Sequence, residues 1–121
     1  MRTVISVLFA LLLISFPLTA IASEGPMELP AGSNPGADMH NKAGIKHWGM
    51  GHAEEALKHF KEASAADSSL AETHFNEAIA YDKIGDHGTA TKHFGAAKKL
   101  AMKSGNKKII DSPILNGHLG H

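Results

Sequence analysis

The sequence predicts an all-α protein, and three observations carry that expectation. Two octets recur, "ALKHFKEA" at 56–63 and "ATKHFGAA" at 90–97. They match at Ala56/Ala90, Lys58/Lys92, His59/His93, Phe60/Phe94 and Ala63/Ala97, always 34 residues apart. From Ala37 onward the apolar residues follow helical spacing, and no stretch alternates as a strand would. Breaks at Gly51, at "DSSL" (67–70) and at Gly85 cut that pattern into pieces of helix length.

The elements follow in order. Met1-Arg2 gives a positive start, Val4 to Phe16 is apolar but for two serines, and Ala20-Ile21-Ala22 is a small-x-small cleavage signature after Pro17. Residues 1–22 therefore read as a secretory signal peptide cleaved after Ala22, which implies a periplasmic or secreted protein. An uncleaved membrane anchor is the alternative; Pro17 and the Ala-x-Ala exit favour cleavage, after which no stable membrane insertion is expected. Residues 23–36 hold Pro26, Pro30 and Pro35 with Gly25, Gly32 and Gly36, and read as a flexible leader. Asn34 as N-cap and Pro35 at the first helical position open the first helix.

The second helix begins around "HAEEALKHF" after Gly51. Ser69 and Glu72 have capping-box spacing and predict the start of the third, which stops at Gly85. Asp86 is the N-cap expected for a fourth helix running to about Met102. The working domain is thus residues 37–103, with a tail at 104–121. Ile109, Ile110, Ile114, Leu115 and Leu119 make that tail apolar enough to pack back as a partial cap; reaching across to another molecule is the alternative.

Charge and composition exclude some functions. Cleavage removes only Arg2, leaving 11 basic and 12 acidic side chains, so no basic face for nucleic acid is expected. There is no cysteine, so stability must come from an apolar core, a partner or a metal. No Gly-x-Ser-x-Gly, phosphate loop or HExxH is present, and the chain is not expected to be an enzyme.

Helix–turn–helix units of 34 residues are the period of tetratricopeptide repeats, and residues 37–100 resemble that family. With units starting at Ala37 and Ala71, the small or large positions are filled by Gly44, His47, Gly51, Ala56, Phe60 and Ala63, then by Ala78, Tyr81, Gly85, Ala90, Phe94 and Ala97. Both units depart from the family at position 4, with His40 and His74, and at position 7, with Ala43 and Glu77. The resemblance implies two stacked hairpins, four helices in all. Two units are fewer than the three or so usually needed. The tail, or an end-to-end homodimer, is expected to complete the core.

The resemblance also implies a concave surface built from Asp38, Asn41, Ile45, Trp48 and Gly49 in the first unit and Glu72, Phe75, Ile79, Asp82 and Lys83 in the second. An apolar floor with a tryptophan marks a groove for a protein or peptide partner. The expected partner-binding residues are Asn41, Ile45, Trp48, Phe75, Ile79 and Asp82. Alternatively the leader ("MELP", 27–30) or the tail ("IIDSPIL") covers the floor.

Nine histidines, all after residue 39, raise a second reading. "HAEEALKHF" and "GIKHW" resemble stretches of small His-rich periplasmic metal-binding proteins, which implies binding or buffering of copper, nickel or zinc. Spacing along single helices argues against a tight site. His40/His47 and His52/His59 are seven residues apart, about 10.5 Å of helix, too far for one ion. His59 and His93 hold equal places in helices whose axes are expected about 8–10 Å apart, His118-x-x-His121 lies in the tail, and His47 and His52, flanking the Gly49/Gly51 turn, are placed to approach each other. No metal-site residue is assigned on this basis, no resident cofactor is expected, and weak surface binding of copper, nickel or zinc is the most the spacing allows.

Overall fold

In a computed structural model, which describes residues 24–120, the chain is all-helical and its helices pack in pairs. The expected signal peptide lies outside the described residues, as does His121. Helix α1 spans Pro35–Gly49, α2 Ala53–Ala66, α3 Ala71–Lys83 and α4 His87–Ser104; two short helices follow, α5 at Lys107–Ile110 and α6 at Pro113–Leu119. None of the helices among the described residues is long and apolar enough to cross a membrane.

The caps explain the boundaries. The Asn34 side chain accepts from the backbone N–H groups of Gly36 (2.9 Å) and Ala37 (3.1 Å), and Pro35 opens α1 where its missing N–H costs nothing. Asp86 accepts from the Thr89 N–H at 3.1 Å and caps α4. The capping box expected from Ser69 and Glu72 does not form. Asp67 takes both the N–H and the hydroxyl of Ser69, Glu72 accepts from the Asn106 side chain, and α3 starts after Leu70 without a side-chain cap. Inside each hairpin the turn repeats: Gly51 and Gly85 adopt φ of 77° and 91°, where a Cβ is disfavoured. The next N–H then bonds to the carbonyl five residues back, His52 to His47 and Asp86 to Tyr81, both at 2.9 Å.

Helices α1 and α2 form one hairpin and α3 and α4 a second, with α2 against α3. Small residues set the crossing distance. A Cβ on Gly44 would collide with the Phe60 ring, while Ala78 occupies the matching place beside Phe94. Phe60 fills a smaller cluster with Ala56, Leu57 and Ala80. Phe94 fills a larger one with Phe75, Ile79, Ile109 and Leu115. The last two come from the tail, so α5 and α6 pack on the second hairpin and supply apolar area that two hairpins alone would lack. The tail packs back as two short helices.

The leader departs from expectation most. It is not a free spacer. Glu24 accepts from the Ser112 hydroxyl (2.6 Å) and the Ile114 N–H (2.8 Å), and Met27 is buried in the larger cluster. The Met27 main chain is held on both sides. Its N–H donates to Asn76 Oδ1 (2.7 Å), and its carbonyl accepts from Asn76 Nδ2 (2.8 Å) and Asn41 Nδ2 (2.9 Å).

Candidate metal centres

The side chains expected to line an open groove are mostly covered. Asn41 and Phe75 are wholly buried and Ile79 nearly so, while Ile45 and Trp48 are half-buried against the two clusters. Gly25 lies over Trp48, within ordinary contact of its indole nitrogen. Residues 25–29 thus occupy the floor, and a buried Asn76–Asn41 bond (2.7 Å) braces it from below. Asp82 is taken up elsewhere, by His87 and His118.

The histidines are brought together instead. Eight of the nine fall into four clusters of two imidazoles and one carboxylate, each with its donor atoms within 4.8 Å: His40/His59/Glu62, His47/His52/Glu55, His74/His93/Glu77 and His87/His118/Asp82. Spacing along one helix missed them: the first and third join a histidine of one helix to a histidine of the next across a hairpin, the fourth joins α3, α4 and α6, and the second spans the Gly49/Gly51 turn, where an approach was expected. His40 and His59 are 19 residues apart, as are His74 and His93, and the two pairs are related by the 34-residue offset. The readable signal was the pair of departures from the repeat pattern at positions 4 and 7, where apolar residues give way to His40, His74 and Glu77.

The second-hairpin centre has the most informative geometry. His74 Nδ1 and His93 Nδ1 are 3.4 Å apart, and Glu77 Oε2 lies 2.8 Å from His93 Nδ1 and 3.7 Å from His74 Nδ1. Ligands held at 2.0–2.1 Å by a tetrahedral ion stand about 3.4 Å from one another. The three separations, 2.8, 3.4 and 3.7 Å, bracket that spacing, so small side-chain shifts would bring the three atoms onto one face of such a tetrahedron.

Proton positions agree. His74 Nε2 is 2.9 Å from the Ser68 carbonyl, which only accepts, so that nitrogen carries the N–H and Nδ1 presents a lone pair. A carbonyl partner of this kind orients a metal-binding imidazole. In the tautomer with its proton on Nδ1, His93 donates along the line to His74. Glu77 Oε2 is close to His93 but off that line, and this buried oxygen has no hydrogen-bond donor. An ion in place of that single proton satisfies all three donors at once. Without it, a carboxylate on a side chain only 6% exposed lacks a hydrogen-bond donor, a costly arrangement.

In the first hairpin, His40 Nδ1 lies 2.8 Å and His59 Nδ1 3.5 Å from Glu62 Oε2. The donor atoms are the same three types, Nδ1, Nδ1 and Oε2. His59 Nδ1 is buried without a hydrogen-bond partner, as is His47 Nδ1. The rings of His40, His59, His47 and His52 run in series, with centroids 6.1, 5.1 and 5.9 Å apart. In the second hairpin Tyr81 stands where His47 does and stacks on His93 at 5.4 Å.

No family model, curated protein or solved structure matches this chain. The geometry of the centres is what speaks to function.

Proposed function

We propose that this protein binds first-row divalent metal ions, copper, nickel or zinc, in the histidine centres of its two hairpins. The observation that carries the reading is the triangle of His74 Nδ1, His93 Nδ1 and Glu77 Oε2, the last a buried carboxylate oxygen without a hydrogen-bond donor. Two imidazoles and one carboxylate suit these borderline ions and leave a fourth position open for exchange or delivery. The repeat of the histidine pair at His40/His59 supports a capacity of more than one ion per chain. In an exported chain without cysteine, such sites fit holding or buffering metal outside the cytoplasm. The 34-residue period of a tetratricopeptide-like hairpin would then serve to copy a metal centre.

Calorimetric titration of the full chain with each ion tests this. Saturable binding at micromolar or better, with at least two ions per chain, is expected; weak uptake that never saturates overturns it. His74→Ala and His40→Ala should each remove one ion from the count.

A second reading has its own support: a tetratricopeptide-like groove that takes a peptide or protein partner. Asn41 and Asn76 grip the main chain of an extended segment, a mode indifferent to its side chains. A partner would have to displace residues 25–29. Trp48→Ala should weaken partner capture without unfolding the domain; unchanged capture removes the groove from consideration.

A further inference from the structure

We propose that Asp82, His87 and His118 form a separate divalent-metal site, for copper, nickel or zinc, that fastens the C-terminal cap to the second hairpin. The choice of ion rests on the metal reading above; the residues are distinct from those of the hairpin centres. Asp82 lies near the end of α3, His87 opens α4 and His118 is on α6, so one ion would join three helices. Both imidazoles converge on the same oxygen. Asp82 Oδ1 is 2.6 Å from His87 Nδ1 and 2.8 Å from His118 Nε2.

His118 is held at both ring nitrogens. Thr91 Oγ1 lies 2.9 Å from His118 Nδ1 and 2.9 Å from the His87 backbone carbonyl, and its one proton serves only one of them. When that proton goes to the carbonyl, Thr91 accepts from His118 Nδ1, and Nε2 of the neutral ring faces Asp82 Oδ1 with a lone pair at 2.8 Å. In that tautomer a divalent ion takes the place of a proton between the two atoms and recruits His87, whose side chain is 69% exposed and free to open its 2.6 Å spacing toward the roughly 3.4 Å between ligands of one ion. The His118 ring is held in place by Phe94, 4.8 Å away between centroids.

Metal occupancy then reaches beyond the site. The same α6 buries Leu115 in the core. Ser112 and Ile114 hold Glu24, the first anchor of the leader. An ion at Asp82 thereby stabilises the docked cap and, through it, the segment lying over the groove floor.

Hydrogen exchange on the full chain, stripped of metal and then titrated with zinc, tests the proposal. At free zinc near one hundred times the dissociation constant, linkage slows opening-limited exchange about 100-fold. That slowing is expected at amides of α6 and of residues 24–27, in the unaltered chain and in His93→Ala alike. His87→Ala, at an exposed position outside both core clusters, should abolish the slowing and lower the bound zinc by one ion. Unchanged cap exchange while the hairpin centres still take up zinc overturns this proposal and leaves the hairpin reading intact. Loss of one ion in His87→Ala but none in His74→Ala or His40→Ala does the reverse. Protection of the cap that rises in acid after the intrinsic pH dependence of exchange is divided out, without any response to zinc, assigns a second proton rather than a metal to His118 and also overturns it.

Discussion

The first hairpin, α1–α2, and the second, α3–α4, place a histidine pair at matching positions, His40/His59 and His74/His93, yet draw the acid from opposite helices. Glu62 sits one turn after His59 on the second helix of its hairpin; Glu77 sits one turn after His74 on the first helix of its own. The places they would exchange hold Ala43 and Ala96. Because the two imidazoles straddle the hairpin, a carboxylate one turn along from either reaches the same space. The donor set is thus a property of the pair, and the sequence need not keep the acid in register. The difference lies in burial. The Glu77 side chain is 6% exposed and that of Glu62 39%, so the second centre is drier and its charges less screened.

The largest expected difference between the hairpins is in stability. Phe60→Ala and Phe94→Ala should each cost about 3–5 kcal/mol in urea denaturation. Phe94→Ala belongs at the upper end, because its ring also meets Phe75 (5.8 Å) and the cap, whereas Phe60 fills the smaller cluster. Equal losses would mean that the cap adds little to the second core.

The next effect is on metal. Glu77→Gln should weaken binding at its centre by at least the ~10–100-fold that loss of a supporting partner costs at metal sites. Glu62→Gln should do less, and its effect should shrink further in salt. In the metal-free chain the order inverts: Glu77→Gln removes a buried undonated charge and should leave stability equal or higher. Paired titrations and melts read both quantities. If Glu77→Gln lowers metal-free stability, the carboxylate is serving the fold instead.

A sharper version moves the acid. Glu62→Ala should remove the ion of the first hairpin, and adding Ala43→Glu to it should restore that ion by rebuilding the arrangement of the second. Ala43 is half-buried, on the side of α1 one turn after His40. Failure of the double variant to recover binding by calorimetry would show that the helices are not interchangeable donors.

How far the sequence could be read follows from the same residues. Helices announced themselves where local chemistry decides: Asn34-Pro35 and Asp86 start helices as expected, and Gly51 and Gly85 end them. The Ser69/Glu72 box failed because two stronger partners, Asp67 and Asn106, compete for those side chains. The His40/His59 and His74/His93 centres were hidden because their members meet across a turn, 19 residues apart, a distance at which periodicity along one helix says nothing. The leader misled through composition. Its prolines and glycines are those of a spacer, but one buried methionine and three hydrogen bonds to two asparagines hold it.

The smallest effect compares the caps of the second helix in each hairpin. Helix α2 follows His52, which makes no side-chain cap bond; α4 follows Asp86, which does. The hydrogen bond from Thr89 holds the Asp86 carboxyl below its ordinary range, with Lys92 and His87 nearby adding to the shift. A carboxyl whose folded value is lowered contributes stability that is fully present above the ordinary carboxylate range. That contribution fades as pH falls through the lowered value. Asp86→Ala should therefore melt slightly below the unaltered chain at neutral pH, and the gap should close only in acid below the usual aspartate range. His52→Ala should leave the metal-free melting temperature unchanged at neutral pH, since no cap bond is lost. A gap for Asp86→Ala that persists undiminished into strong acid would mean that the side chain acts through packing and not through its charge at the head of α4.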